Sequence, residues 1–572
     1  MNTPDISTEK RNSFLPDNLT INKWEDIEVF FSQLIERPIN STEDLEQLLK
    51  DRSDLLSTIS EDFAWRYIKM NIDTRDEALQ KDFENYVTNI QPKTVVFENK
   101  LNTKIYESPY FAQLGNDYKT FKRGLKRKIE LFREENIPIQ TELSKEEQKF
   151  GAISSLMTVE HNGKELTIQQ ASKLLKENDR ELRKTIFEKI GKVKLENAKK
   201  LDDLLDSLIK KRHQMALNAG YKNYRDYKFD ELERFDYKVE DCLAFHNAVA
   251  TQVVPLLNEW AKQRKEKLKL DVLKPYDLDV DENNGTPLNP FETTQEFIDK
   301  TKTALSNTNP YFGECLSTME KMGRLDLDSK AGKAPGGFNY PLYKSGYPFI
   351  YMNAVGTHRD IVTLFHEAGH AVHSCLTHPL SLVDFKSFPS EVAELASMSM
   401  ELMSMDNWHL FYNDEELKRA KIVQIKGVLE TLPMVARIDK FQHWLYTNPE
   451  HTAQERTDYW LEITEEFGLD CVDWSGYEDI KKYAWQKVLH IYEVPFYYIE
   501  YGFAQLGAIA VWRNYCNNKQ KAIESYQNAL KLGYTKTIGE IYNAADIQFN
   551  FSSDYVKELV DFVNAELKKV DS

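Results

Sequence analysis

"DRELRKTIFEKIGKVKLENAKKLDDLLDSLIKKRHQMALNAG", Asp179–Gly220, decides the fold class. Its apolar residues recur at helical spacing, strong helix formers fill the positions between them, and a glycine stands near the end as a stop. Most of the chain carries the same pattern, so the expected fold is mainly α, a large helical fold. The β signals are few. "LMTVEHNGKELTI", Leu156–Ile168, reads as a hairpin turned by Asn162-Gly163. "YPFIYMNAV", Tyr347–Val355, is aromatic and β-branched between two glycine-bearing breaks and reads as a strand. The acidic "DLDVDENNG" after residue 276 lacks the glutamate a calcium loop needs and reads as a surface loop.

The chain has 572 residues, enough for a large core, with 41% hydrophobic and 29% charged residues, the profile of an ordinary soluble protein. A net charge of −17 and a pI near 5.4 argue against nucleic-acid and anionic-membrane partners, both of which reward clustered lysine and arginine. Cys242, Cys315, Cys375, Cys471 and Cys516 form no CxxC pair, which suits a reducing compartment. With no hydrophobic leader in "MNTPDISTEKRNSFLP", the expected location is cytoplasmic. Val494–Trp512 approaches the length of a membrane span, but Glu500 and Gln505 inside it favour a buried helix facing a polar cavity.

"LFHEAGHAVHS", Leu364–Ser374, carries the chemistry. At about 100° per residue, His366 and His370 share one helix face, with His373 beside them. Ile361, Leu364, Phe365, Ala368, Ala371, Val372 and Cys375 gather on the other face as an apolar stripe that buries the helix's back. Gly369 sits mid-helix, where glycine costs about 1 kcal/mol relative to alanine, so a close approach by substrate or by a second backbone is expected there. Two imidazoles on one face fit a catalytic zinc site, which takes three protein ligands and keeps a position for water.

A third ligand is available downstream. "FPSEVAELASMSMELMSM" offers Glu391, Glu394 and Glu401 on a second expected helix with Pro389 at its first turn. Glu394 and Glu401 share a face, and carboxylates on so apolar a helix are costly to bury unless paired or metal-bound. A partly solvated helix face is the competing reading. Metal-bound water has a pKa near about 7, and Glu367 is rotated off the ligand face so that it can take the water's proton and pass it to the leaving amine. Glu401 and Asp360 are candidates to accept the second N–H of a ligating histidine. His373 either joins that outer role or is an ordinary buried histidine.

"FHEAGHAVHS", "AELASMSME" and "HIYEVPFYYIEYGFAQ", in this order and with these gaps, resemble the oligoendopeptidase F and thimet oligopeptidase family of zinc metallopeptidases. "GKAPGGF" and "PFIYMN" just upstream are similar too, and the likeness extends to the hairpin and to "RHQMALNAGYKNYRDY". The resemblance implies a nearly all-α fold enclosing a deep substrate channel, with a small β-sheet and hairpin near the active site. It implies His366, His370 and Glu394 as ligands of one Zn2+ ion and Glu367 as the catalytic acid/base. It further implies that His490, Tyr498 and Tyr501 stabilise the oxyanion, with Tyr497 an alternative because the family's two branches align here with a one-residue shift. Aromatic core packing is the competing reading for each tyrosine.

The function expected from this reading is a zinc-dependent endopeptidase acting on short oligopeptides. Residues 1–200 are expected to form an N-terminal helical domain with the hairpin, and residues 201–572 the catalytic zinc metallopeptidase domain. Tyr347–Val355 is the candidate edge to which a substrate backbone adds as an extra strand. The rival readings are a zinc carboxypeptidase, for which no unique carboxylate-capturing arginine announces itself, and a non-catalytic helical peptide-binding protein with a structural zinc. Glu367 argues against the latter, since a structural site has no use for a base.

Overall fold

The stretch Asp179–Gly220 folds as read: helix Arg180–Asn218 starts at Asp179, whose carboxylate accepts from the backbone N–H of Glu181 and Leu182, and the chain turns away at Gly220 with φ +87°. The computed structural model describes residues 13–17, 19–283, 285–330, 332–334 and 336–571. Helices dominate, with two small sheets, and the chain divides into two compact units, each made of three chain segments.

The first unit comprises the described residues of Met1–Glu134, Asn289–Lys421 and Ala504–Phe549. Its N-terminal helices pack around Ile27, Phe31, Leu45, Leu48 and Leu101, all fully buried. Helix Thr42–Ile72 then carries Ala64 and Ile68 against Leu342 and against Phe349 and Tyr351 of a three-stranded sheet. In that sheet β3 (Leu325–Asp328) pairs in parallel with β5 (Phe349–Ala354), and β4 (Phe338–Tyr340) pairs antiparallel on the other side. The strand expected as an open edge is therefore the central one: both sides of β5 are occupied, and β4 forms an edge. A three-residue strand following a glycine-rich loop leaves too weak a periodic signal to be read as a pairing partner.

The second unit comprises the described residues of Glu135–Leu288, Ile422–Phe503 and Asn550–Ser572. The hairpin lies here, as β1 (Thr158–His161) and β2 (Lys164–Thr167), with Asn162 at φ +52° and Gly163 at φ +72°. Two positive φ values in a two-residue loop are the backbone twist that suits a right-handed β-ribbon. Val159 of the hairpin packs with Ile186 and Ile190 of the long helix. The acidic loop lies only partly at the surface, with Asp279 and Asn283 exposed. Asp277 is fully buried between Arg180 (2.8 Å) and Arg183 (2.8 Å), and Glu282 pairs with Lys267 (2.8 Å) and Lys426 (2.9 Å).

No helix among the described residues is long and apolar enough to cross a membrane. Helix Tyr498–Asn517 is largely buried, and its Glu500 is held by Arg234 at 2.9 Å, so an ion pair accommodates the charge that the sequence reading gave to a polar cavity.

Candidate metal centre

The motif helix, His358–Thr377, begins where Gly356 (φ +83°) turns the chain out of β5. Asp360 accepts from the backbone N–H of Thr357 at 2.7 Å and of Val355 at 3.0 Å, fixing that first turn. Asp360 is thus a capping residue, and the role of orienting a ligating histidine falls elsewhere. Ile361, Leu364, Phe365, Ala368, Ala371 and Val372 are buried on the helix's back, each large aliphatic or aromatic side chain contributing on the order of 1.5–3 kcal/mol. His366 and His370 keep 20% and 18% of their side-chain surface open on the front.

A second helix, Ser390–Ser404, lies against this one with Pro389 just before its start. Their approach is set by Gly369. A β-carbon there would stand 2.6 Å from both the Ala396 carbonyl oxygen and the Ser397 Cα, so only glycine lets the second backbone come this close. That closeness brings Glu394 to the histidines. Its Oε2 lies 3.2 Å from His366 Nε2 and 3.6 Å from His370 Nε2, and one donor atom from each of the three residues falls within 4.8 Å of the others. A tetrahedral ion with bonds of about 2.0–2.1 Å needs ligand atoms roughly 3.3 Å apart, so the donor set fits zinc or a similar divalent cation. Glu391 is buried but is not one of the three, and Glu401 meets the outer ring nitrogen of one ligand.

That ligand is His366. Its Nδ1 lies 2.7 Å from Glu401 Oε1, so Nδ1–H donates to that carboxylate while Nε2 faces Glu394. His370 in turn hydrogen-bonds the Ala393 backbone. Ser397 Oγ donates to Glu394 Oε2 at 2.9 Å. Burial opposes charge on Glu394, but the two histidines and Ser397 bring its pKa down to about 2. Burial lowers His370 to about 4, which keeps it neutral. On His366 the same burial is outweighed by Glu394 and Glu401, which hold its pKa well above the ordinary histidine range.

Glu367 is 6% exposed. Burial, reinforced by the charges of Glu394 and Glu401, pushes its carboxyl up to about 7. Asn339 of β4 donates to the Glu367 backbone carbonyl at 3.1 Å, so the edge strand lies directly beside this turn of the helix. His373 is fully buried and stacks on Phe388 at 3.6 Å between ring centroids, a packing role rather than one among the ligands.

In the second unit His490, on the short helix Leu489–Glu493, gathers the three tyrosines: ring centroids lie 5.0 Å away for Tyr498, 5.8 Å for Tyr501 and 5.8 Å for Tyr497. The bend that allows this is at Phe496, with φ +67°. Tyr501 Oη is 3.5 Å from His490 Nε2, and Tyr498 Oη points at Met434 Sδ, 3.8 Å away, a weak acceptor.

Residues 173–561 match the family model "Peptidase family M3", and residues 14–132 match "Peptidase M3 N-terminal domain". An "Oligoendopeptidase F homolog" of Borreliella burgdorferi is 24% identical over 388 residues, covering 66% of this chain and 63% of that protein. "Oligopeptidase PepF" of Bacillus subtilis is 24% identical over 394 residues, covering 66% of this chain and 56% of that protein. The matched segments thus span about three fifths of the length of these curated relatives. The solved structure of "Pz peptidase A with inhibitor 2" superposes with a TM-score of 0.90 at 26% identity, over 96% of this chain and 97% of that one. The chain belongs to peptidase family M3.

Proposed function

We propose that this protein is a zinc-dependent endopeptidase that hydrolyses short oligopeptides, with His366, His370 and Glu394 holding one zinc ion. The observation that carries the reading is the convergence of one donor atom from each of these three residues within 4.8 Å of the others, with Glu367 buried directly after the first histidine. The ion, when bound, supplies Lewis acidity that acidifies the attacking water and polarises the scissile carbonyl. Glu367 takes the proton of that water and delivers it to the leaving nitrogen; a carboxyl with a pKa near neutrality is suited to both transfers. Glu401 fixes the tautomer of His366.

His490, Tyr498 and Tyr501 are the groups we assign to the developing oxyanion, on the strength of the family resemblance and of their clustering around one imidazole. The β4 edge replaces β5 as the place where a peptide adds as an extra strand, since it lies beside Glu367. A cytoplasmic location belongs to the same reading and is supported by cysteines that form no disulfide among the described residues.

The test joins metal content to hydrolysis of peptides blocked at the N-terminus, at the C-terminus and at both. Cleavage of doubly blocked peptides with loss of activity on chelation is the expected result. Cleavage only where the C-terminus is unblocked identifies a carboxypeptidase, and bound zinc without hydrolysis of any peptide identifies a structural site.

A further inference from the structure

A second set of metal-ligating side chains lies wholly within the second unit, and the peptidase reading does not use it. Cys242 and His246 stand four residues apart on helix Val239–Ala248, and Asp439 and His443 four apart on helix Asp414–Thr447. Spacing of i,i+4 puts each pair on one helix face, and the two faces meet. Asp439 Oδ2 lies 2.8 Å from His246 Nε2 and 3.1 Å from His443 Nε2. One donor atom each from Cys242, Asp439 and His443 falls within 4.8 Å of the others.

The surroundings make this cluster costly unless something binds it. Cys242 and Asp439 are 0% exposed, His246 is 2% and His443 is 6%. Phe229 and Phe496 press on the His443 ring at 5.7 Å and 5.4 Å, and Phe245 lies beside His246. Asp439 Oδ1, His246 Nδ1 and His443 Nδ1 make no hydrogen bond among the described residues. A buried polar atom without a partner costs about 1–3 kcal/mol, so a core that leaves three of them together needs a further partner.

We propose that Cys242, Asp439 and His443 form a second metal site that takes zinc or a similar thiolate-accepting divalent cation. A thiolate, an imidazole and a carboxylate are the ligand types zinc accepts, and the sulfur selects against magnesium and calcium. Charge balances: the Cys242 thiol releases its proton to solvent on binding, and thiolate plus carboxylate neutralise a divalent ion inside an apolar core. His246 donates to Asp439 Oδ2 and orients that ligand. Bound there, the ion ties helix Val239–Ala248 to helix Asp414–Thr447.

Cobalt distinguishes the two sites, because the site at His366, His370 and Glu394 contains no sulfur. The full chain is depleted of metal and titrated with Co2+ while absorbance and bound metal are followed. Two equivalents are expected, one of them with an intense thiolate-to-cobalt charge-transfer band in the near ultraviolet. Cys242→Ser should lose the band and one equivalent; Glu394→Ala should lose the other equivalent and keep the band. The wild-type titration decides even if Cys242→Ser fails to fold: a single equivalent without a thiolate band overturns the proposal and leaves Asp439 a hydrogen-bonded bridge between two imidazoles. A band that survives in Cys242→Ser overturns it as well. Neither result touches the peptidase reading, whose own failure is absence of the equivalent that Glu394→Ala removes.

Discussion

Gly369 and Ser397 touch backbone to backbone: a β-carbon on the glycine would sit 2.6 Å from the Ser397 Cα. Gly369→Ala should therefore force the motif helix away from helix Ser390–Ser404 and carry Glu394 off the histidines. Overpacking of this kind costs typically about 1–3 kcal/mol. The control is Gly427, on a helix as well, where an added β-carbon meets nothing within 4 Å. Gly427→Ala should raise the melting temperature through a gain of up to about 1 kcal/mol, while Gly369→Ala should lower it and weaken metal binding. Equal melting temperatures for the two variants would show that the close approach is not a constraint.

Glu367→Gln changes neither the donor set nor the buried stripe, so metal content and melting temperature should match wild type. Loss of a general acid–base residue typically costs about 10²–10⁴-fold, and kcat should fall by that amount. Activity within about threefold of wild type would remove Glu367 from the mechanism.

Much of this centre was legible in the sequence because helical faces are set locally, by spacing alone: the stripe from Ile361 to Val372 and the pairing of His366 with His370 both follow from 3.6 residues per turn. Which glutamate of Glu391, Glu394 and Glu401 meets the histidines was not decidable from spacing, since it depends on how one helix docks on another, and Gly369 decides that. Long-range pairing hid the rest. Asp277 looked like surface because Arg180 and Arg183, which bury it, lie far upstream, and β5 looked like an edge because its partner β4 is three residues long. Cys242, His246, Asp439 and His443 are two unremarked i,i+4 pairs in the sequence, and only the packing of their helices joins them.

Glu394 and Glu401 should separate as ligand and orienting residue. Glu394→Ala removes a donor from the set and should abolish tight metal binding together with activity. Glu401→Gln keeps an acceptor near His366 but loses the charge that holds its Nδ1–H at 2.7 Å. Partners of this kind are worth about 10–100-fold in metal affinity, so competition with a chelator should show an intermediate weakening. If Glu401→Gln binds metal as tightly as wild type, the hydrogen bond to His366 has no part in setting affinity.

The tyrosines around His490 offer the sharpest choice between catalysis and packing. Tyr498 is mostly buried, yet the acceptor facing its hydroxyl is the Met434 sulfur at 3.8 Å, so Tyr498→Phe removes an oxygen that contributes little to the fold. Tyr501→Phe removes a contact of 3.5 Å to His490, which is long for a hydrogen bond to a ring nitrogen. The melting temperature of Tyr498→Phe should therefore stay near wild type, and Tyr501→Phe is judged by kcat against KM. If either hydroxyl donates to the oxyanion, kcat should drop on the order of 10²-fold, about 2.7 kcal/mol, with a smaller change in KM because the bond strengthens as charge develops. The expected order of effect is Tyr501, then Tyr498, then Tyr497, which lies just outside the helix that carries the other two. An unchanged kcat in both Tyr498→Phe and Tyr501→Phe would assign these rings to packing alone and leave His490 as the remaining donor.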